Sequence, residues 1–410
     1  MNTEILRKYA SLAVNIGVAV KEDQLLVINA QVRDYEFVRL CVEEAYKAKA
    51  KRVIINWSDS DINHLDFLNC STETLCDIPQ YKHDARKYAQ DNGCCYLSIA
   101  SDIPGLLADV DSNKMKAFQK ARGKMFADLM HYTMANQGQW CVIALPNKAW
   151  AKKVFPELDE QEAYDKLWAE ILKTVKVNEN DDPITLWQEH DAKLKKHCEI
   201  LNNYNFKKLH FTNSLGTDLY VGLVKDHVWV GGSSETIDGT VFEANMPTEE
   251  VFCMPDKLVT SGVVYASKPL SYNGKLIDKF SLKFENGKVV EHHAEVGEDV
   301  LTGILESDEG SRYLGEVALI SYDSPISLSN ILYYETLFDE NASCHLALGD
   351  SYPENVKGGT LMNEEQLKQL GANSSNEHVD FMFGTRDLNV TGIKENGEEI
   401  VVFKEGNFVF

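Results

Sequence analysis

The stretch LFDENASCHLALG (337–349) sets an acid, Glu340, and an imidazole, His345, five residues apart at the end of an apolar run. Around them are only small residues, Ala342, Ser343, Ala347 and Gly349. Groups of these two types bind a metal or carry a proton. The second half of the chain holds more of the same chemistry. NMPTEEVFCMP contains the vicinal acids Glu249 and Glu250 between Pro247 and Pro255, GEVAL puts Glu316 at the start of a strand candidate, and EHVDF carries His378 and Asp380. Residues i and i+2 of an extended segment face the same side, so His378 and Asp380 can reach one point in space. Carboxylates and imidazoles converging in this way suit a hard-to-borderline divalent cation. Two such cations sharing a bridging carboxylate would polarise a carbonyl and generate hydroxide near neutral pH. Residue types alone do not separate Glu249 from Glu250.

The remaining candidates are weaker. His292 and His293 are adjacent in VVEHHAEVG, so a strand sends them to opposite faces and they read as structural. His210 and His227 lie in strand candidates with no acid two residues on. WVGGSSE (229–235) offers two glycines and two serines to a phosphate, but in a β-rich segment it reads as a turn. The loops GxGxxG and GxxxxGK[ST], the elbow GxSxG and the zinc motifs HExxH and HxxEH are all absent.

The elements that must position these groups belong to a chain of 410 residues, enough for two domains. In the first half, strand candidates QLLVINA, KRVIINW, CCYLSIAS and QWCVIALP alternate with helix candidates. One helix places Phe37, Val38, Cys41, Val42 and Ala45 on a single face, with Asp34 as its N-cap. Strand–helix alternation is the pattern of a parallel sheet covered on both faces. Two further helices follow, broken by the polar NENDDP (178–183). After residue 205 the texture turns to hairpins: KKLHFTNSLGTDLYVGL, then KFSLKFENGKVVEHHAEVG and LNVTGIKENGEEIVVFKEGNFVF with their Asn-Gly turns. LVTSGVVYAS, EVALIS and HVDFMFG add strands, and EDVLTGILESDEGSRYL and LSNILYYETLFDE read as interrupting helices. The expected fold is α/β plus α+β: an N-terminal α/β sheet domain, 1–205, followed by a mostly antiparallel β-rich domain, 206–410, that carries the metal site.

Composition excludes several classes of function. A hydrophobic fraction of 44% and a charged fraction of 25% are those of a soluble globular chain, and no apolar run reaches the ~18 residues of a membrane span. The opening MNTEILRKYASLAVNIGVAV is interrupted by Glu4, Lys8 and Asn15 and repeats Leu6, Ala10, Ala13, Val14 and Gly17 at helical spacing, so it reads as a first helix and not as a signal peptide. A formal charge of −22, with no basic block longer than KAKAKR (47–52), argues against nucleic acid as a partner. The nine cysteines are odd in number and form no CxxC, so neither a disulfide framework nor a zinc knuckle is expected, and a reducing, cytoplasmic location fits.

The strings NMPTEEVFCMPD, GEVALI, LYYETLFDENASCHLALGDSYP and EHVDFMFGT, in that order, resemble the thermophilic-type metallo-aminopeptidases, the aminopeptidase T and aminopeptidase S family. LRKYASLAVNIGVAVKEDQLLVI resembles that family's opening segment, so the resemblance spans essentially the whole chain. It implies an exopeptidase that releases N-terminal amino acids from short peptides through water activated by two divalent metal ions, zinc, cobalt or similar. It implies Glu250, Glu316, His345, His378 and Asp380 as metal ligands, and it is the resemblance that selects Glu250 over Glu249. Glu316 is the expected bridge. Tyr352, in LGDSYP, matches a family tyrosine near the scissile carbonyl that would donate to the developing oxyanion. Glu340 is either an extra ligand or the proton carrier. One departure stands out: Cys253 occupies a position where a small hydroxyl residue such as Thr is expected, which would bring a thiol close to the ligands. A homodimer is implied, with the partner helping to enclose the site. Two other readings compete. One is a non-catalytic small-ligand-binding protein using the C-terminal ends of the first domain's strands. The other is a metal-dependent hydrolase of a different bond, such as an ester or phosphoester.

Overall fold

Four apolar runs of the first half, Leu25–Gln31, Arg52–Ser58, Cys95–Ala100 and Trp140–Ala144, pair side by side and in parallel, in the spatial order second, first, third, fourth. The computed structural model describes residues 2–272 and 274–410. Parallel neighbours cannot be joined by a tight turn, so helices fill the connections; Tyr35–Lys47, Gln80–Asp91 and Ser112–Met134 stand where periodicity puts them. Ser60–Asn69 and Thr72–Cys76 are additional. Strand alternation sorts the side chains. Leu26, Ile28, Leu97, Ile99 and Ile143 pack with Phe37, Val38 and Cys41 on one face, and Leu25, Val27 and Tyr96 pack with Ala89 on the other. These elements belong to a compact unit made of residues 1–189 and 233–247. Asp34 holds the N-cap position of Tyr35–Lys47, yet its carboxylate accepts from the Ser101 hydroxyl instead of from the helix.

The second unit, residues 190–232 and 248–410, is built on two antiparallel sheets. The larger has nine strands and contains the expected hairpins, Lys208–Thr212 with Asp218–Gly222, Lys275–Glu285 with Lys288–Val296, and Asn389–Ile393 with Glu399–Lys404. At the second of these turns Asn286 and Gly287 both have positive φ, 51° and 80°, the conformation for which Asn-Gly is selected. The mixed α/β and antiparallel architecture is the one the sequence predicts.

The smaller sheet orders four strands as His378–Met382, His345–Gly349, Leu314–Leu319 and Val251–Cys253, antiparallel throughout. Its two faces differ completely. Val251, Cys253, Val317, Leu319, Leu346, Leu348, Val379 and Phe381 join the core shared with Phe211, Leu219, Phe280 and Leu282 of the larger sheet. Each large side chain in that layer contributes roughly 1.5–3 kcal/mol of burial free energy. The alternate positions, 250, 252, 316, 318, 345, 347, 349, 378 and 380, face the other way.

One expected helix does not form as a unit. LSNILYYETLFDE is helical only at Pro325–Ser329 and Thr336–Asp339. Asn330 and Tyr334 take positive φ, 51° and 59°. The Asp339 carboxylate accepts the backbone N–H groups of Tyr333 (2.7 Å) and Glu335 (3.1 Å), which an uninterrupted helix would give to carbonyls four residues back. Likewise EDVLTGILESDEGSRYL is α-helical only over Glu298–Leu305, with a 3-10 turn at Gly310–Arg312. Among the described residues no helix is long and apolar enough to cross a membrane. All nine cysteines are free thiols.

Gly349 has φ 111°, and a Cβ built on it would lie 2.0 Å from the carbonyl oxygen of Glu377, one residue before His378. Gly349→Ala should therefore force apart the two strands that carry His345 and His378 and cost roughly 2–4 kcal/mol. Chemical denaturation measures this directly; an unchanged midpoint would contradict the close approach.

Candidate metal centre

The polar face of the small sheet explains the small residues around His345. In the strand register Glu316 lies opposite Ala347, Ala347 lies opposite Asp380, His345 lies opposite Ala318, and His378 lies opposite Gly349. Glu316, His345, His378 and Asp380 thus each have a cross-strand neighbour with one side-chain carbon or none, which leaves room for the long side chains to converge. His345 Nε2 is 3.2 Å from Glu250 Oε2, 3.3 Å from Glu316 Oε1 and 3.9 Å from Asp380 Oδ1. His378 Nε2 is 3.5 Å from Glu316 Oε2 and 3.4 Å from Asp380 Oδ1. Glu316 turns one carboxylate oxygen toward each imidazole.

Burial opposes charge on Glu250, Glu316, His345 and His378, and the outcome depends on the neighbours. Burial raises the Glu250 carboxyl, and His345 only partly offsets it. At Glu316 burial is overridden by hydrogen bonds from His345 and His378, which hold it down to about 2. Burial lowers both imidazoles, but Glu250 and Glu316 take His345 well above its ordinary value, and Asp380 and Glu316 take His378 up to about 11. Glu340, in the 3-10 turn Glu340–Ala342, is pushed well up by burial and then by the charges of Glu250 and Asp380. Tyr352 is also pushed up, first by burial and then by the surrounding carboxylates, so its hydroxyl keeps its proton.

The donor set fits a divalent cation. Ligand atoms of Glu250, Glu316 and His345 converge within 4.8 Å, as do those of Glu316, His378 and Asp380, and Glu316 belongs to both groups. Buried carboxylates in this number need positive charge beside them, and the donors are oxygen and imidazole nitrogen, the set borderline ions accept. His378 Nδ1 donates to the carbonyl of Asp350 at 2.9 Å, which fixes the ring and leaves Nε2 toward the carboxylates.

The structure separates the vicinal acids. Glu249 turns to His190, 3.7 Å away, while Glu250 turns to His345. Glu340 belongs to neither converging group. Tyr352 packs its ring 4.7 Å from that of His378 and 6.0 Å from that of Phe252. Cys253 is not beside the ligands: strand alternation puts it on the core face, fully buried, where burial raises its thiol well above the ordinary value. His292 bonds Thr302, His293 bonds Glu298, and His210 finds an acid after all, Asp218 across its hairpin at 2.7 Å. His227 bonds the carbonyl of Val224.

Sequence reasoning missed several contributors. Phe252 shares a face with Glu250 and could have been found from the two-residue spacing. Glu354, raised by burial and by Glu316 and Glu250, follows Tyr352 by two residues. The buried asparagines Asn341, Asn355 and Asn373 bond backbone near the ligand strands, and no periodicity announces them. In WVGGSSE, Gly231 lets its segment pass so close that an added Cβ would sit 2.4 Å from the carbonyl oxygen of Glu250.

The family model described as thermophilic metalloprotease (M29) matches residues 2–408. Aminopeptidase AmpS of Bacillus subtilis (strain 168) is 45% identical over 405 residues, 99% of this chain and 98% of that protein. Aminopeptidase 2 of Geobacillus stearothermophilus is 41% identical over 405 residues, again 99% and 98%. Among solved structures, wild-type AmpT from Thermus thermophilus matches with a TM-score of 0.93 at 34% identity, covering 100% of both chains.

Two predictions follow from the charges. Without metal, His378 gains its proton far more readily folded (about 11) than unfolded (6.5), so its stabilisation is complete below 6.5 and is lost as pH rises toward 11. Glu316 acts in the opposite sense: its contribution is present above 4.5 and is lost as pH falls toward 2. Thermal melts of chelator-stripped protein should therefore peak between those limits. Metal must displace the imidazole protons, so zinc uptake at about pH 7.5 should release about two protons, measured by calorimetry in buffers of different ionisation enthalpy. Release of none would mean the imidazoles are neutral.

Proposed function

The chain belongs to the thermophilic metalloprotease (M29) family, and from that membership and the geometry of its acidic centre we propose that it removes N-terminal amino acids from short peptides using two divalent metal ions. As a member of a metalloprotease family matching named aminopeptidases over its whole length, it is a hydrolase, an exopeptidase. The observation that carries the two-ion reading is Glu316, whose two oxygens face two different imidazoles.

In this reading Glu250, Glu316 and His345 would hold one ion and Glu316, His378 and Asp380 the other, Glu316 serving both groups. Zinc or cobalt suits the donors. Bound ions supply Lewis acidity that polarises the scissile carbonyl and makes water nucleophilic near neutral pH. The chain's own groups do the rest. Glu340, in its ionised form, takes a proton from the attacking water and, with its affinity for protons raised, returns it to the leaving amine. Tyr352 stays protonated and donates its hydroxyl to the oxyanion. The density of carboxylates favours a substrate that brings its own positive charge, the free α-amine. The catalytic residues all lie in 206–410, proposed as the catalytic domain beside an α/β domain over 1–205.

A homodimer is proposed as well. Trp57, on the edge strand Arg52–Ser58, and Ile62, Leu65 and Leu68, three residues apart on Ser60–Asn69, are exposed apolar side chains that a second copy would cover. Nine free thiols fit a reducing cytoplasm. Ligand binding at the strand ends of the first unit gains no support, because the polar groups there bond one another: Ser101 to Asp34, Gln31 to Asp102, and Asn147 to the Ser101 carbonyl.

The test is hydrolysis of leucine anilide by chelator-stripped protein before and after zinc or cobalt, with the N-acetylated substrate as control. Activity should return with metal and vanish on acetylation; hydrolysis of substrates without a free amine would favour a different bond. His345→Ala at saturating metal should lose at least about 100-fold, and full turnover would end this scheme. Tyr352→Phe should lower kcat about 10²–10³-fold with metal content unchanged. Leu65→Glu should shift the sedimentation coefficient of the dimer to that of a monomer.

A further inference from the structure

Asn341 is completely buried, four residues before His345. Its side chain makes three hydrogen bonds, the weakest from Nδ2 to Glu340 Oε1 at 3.5 Å. Oδ1 accepts the backbone N–H of Glu249 at 2.8 Å, and Nδ2 donates to the carbonyl of Leu337 at 3.2 Å. The first bond reaches across 92 residues of chain to the position next to Glu250. The second anchors the amide in its own turn, so the oxygen cannot swing away from Glu249. That turn is itself fixed: Asp339 takes the N–H groups of Tyr333 and Glu335, and Tyr333 stacks on Phe338 with ring centroids 4.7 Å apart.

The consequence is a mechanical link between two ligand-bearing segments. Val251–Cys253 and His345–Gly349 are not neighbours in the sheet, because Leu314–Leu319 lies between them. Glu250 stands outside its strand, where ladder hydrogen bonds no longer hold it. The Glu250 side chain already pairs with His345 at 3.2 Å and His190 bonds the carbonyl of Thr248 at 2.8 Å; Asn341 adds a backbone tie that fixes where the segment carrying Glu250 lies. Resting on the reading that Glu250 and His345 hold a metal, we infer that Asn341 is a positioning residue: it locks the Glu249–Glu250 backbone to the turn that ends in His345, so this ligand pair is set before any ion arrives.

The experiment measures zinc affinity of the chelator-stripped full chain by competition with a chromophoric chelator, alongside its thermal melt. Asn341→Ala should remain folded and bind zinc 10–100-fold more weakly, the loss typical when a group supporting a ligand is removed. His345→Ala serves as the control for the ligand assignment. Wild-type affinity in a folded Asn341→Ala, with His345→Ala impaired, overturns the inference and leaves the ligand reading standing. Wild-type affinity in His345→Ala overturns both. Where Asn341→Ala does not fold, the wild type decides through hydrogen exchange at the Glu249 amide. Protection in the stripped protein supports a preset pair; exchange like an open loop until zinc is added overturns it.

Discussion

Concentrated negative charge is the constraint on which the site depends. Glu250, Glu316 and Asp380 are brought together with Glu340 in surroundings that exclude most water, and carboxylates so placed destabilise one another unless a cation intervenes. With no ion bound, two imidazoliums take that part, which is why both histidines hold protons far above their ordinary range. The same nitrogen atoms that then carry protons are the ones aimed at the carboxylates. A divalent cation would therefore compete with protons for one set of positions, and the centre would be electrically compensated in either state.

The sheet beneath meets this constraint by dividing its labour between two faces. Its apolar positions join the core of the second unit, and its polar positions carry the converging acids and histidines. Period-two alternation makes the division, apart from the irregularity between Leu314 and Glu316: a slip of one residue elsewhere would turn acids into the core and leucines onto the polar face. Ala318, Ala347 and Gly349 matter for the same reason. They leave room on the polar face, and Gly349 permits a backbone approach that no side chain would allow.

Much of this was legible in the sequence. The parallel strands, the hairpins with Asn-Gly turns and the shared face of His378 and Asp380 all follow from periodicity, because two-residue alternation and turn chemistry are local. What was not legible depends on partners distant in sequence. Glu249 and Glu250 are chemically identical, and only His190 and His345, supplied by other segments, tell them apart. LSNILYYETLFDE has the composition of a helix, but Asp339 draws the backbone N–H groups of Tyr333 and Glu335 to itself and breaks it. Buried asparagines leave no periodic trace, since each is selected by one or two backbone atoms that the fold brings to it.

Cys253 shows how the two faces govern a residue that its place in the sequence sets beside the acids. Read in sequence, a thiol three residues after Glu250 looks like a threat to the metal chemistry. Read on the sheet, it is one position out of phase with Glu250 and Phe252 and points into the core beside Val251 and Val317. A threonine there would bring a hydroxyl that needs a hydrogen-bond partner in an apolar layer. A thiol is a small, weakly polar group that packs as a hydrophobe and, with its pKa raised by burial, stays protonated and inert. The thiol therefore belongs to the packing of the supporting face and not to the cluster of acids and histidines, because alternation along a three-residue strand is enough to insulate one chemistry from the other.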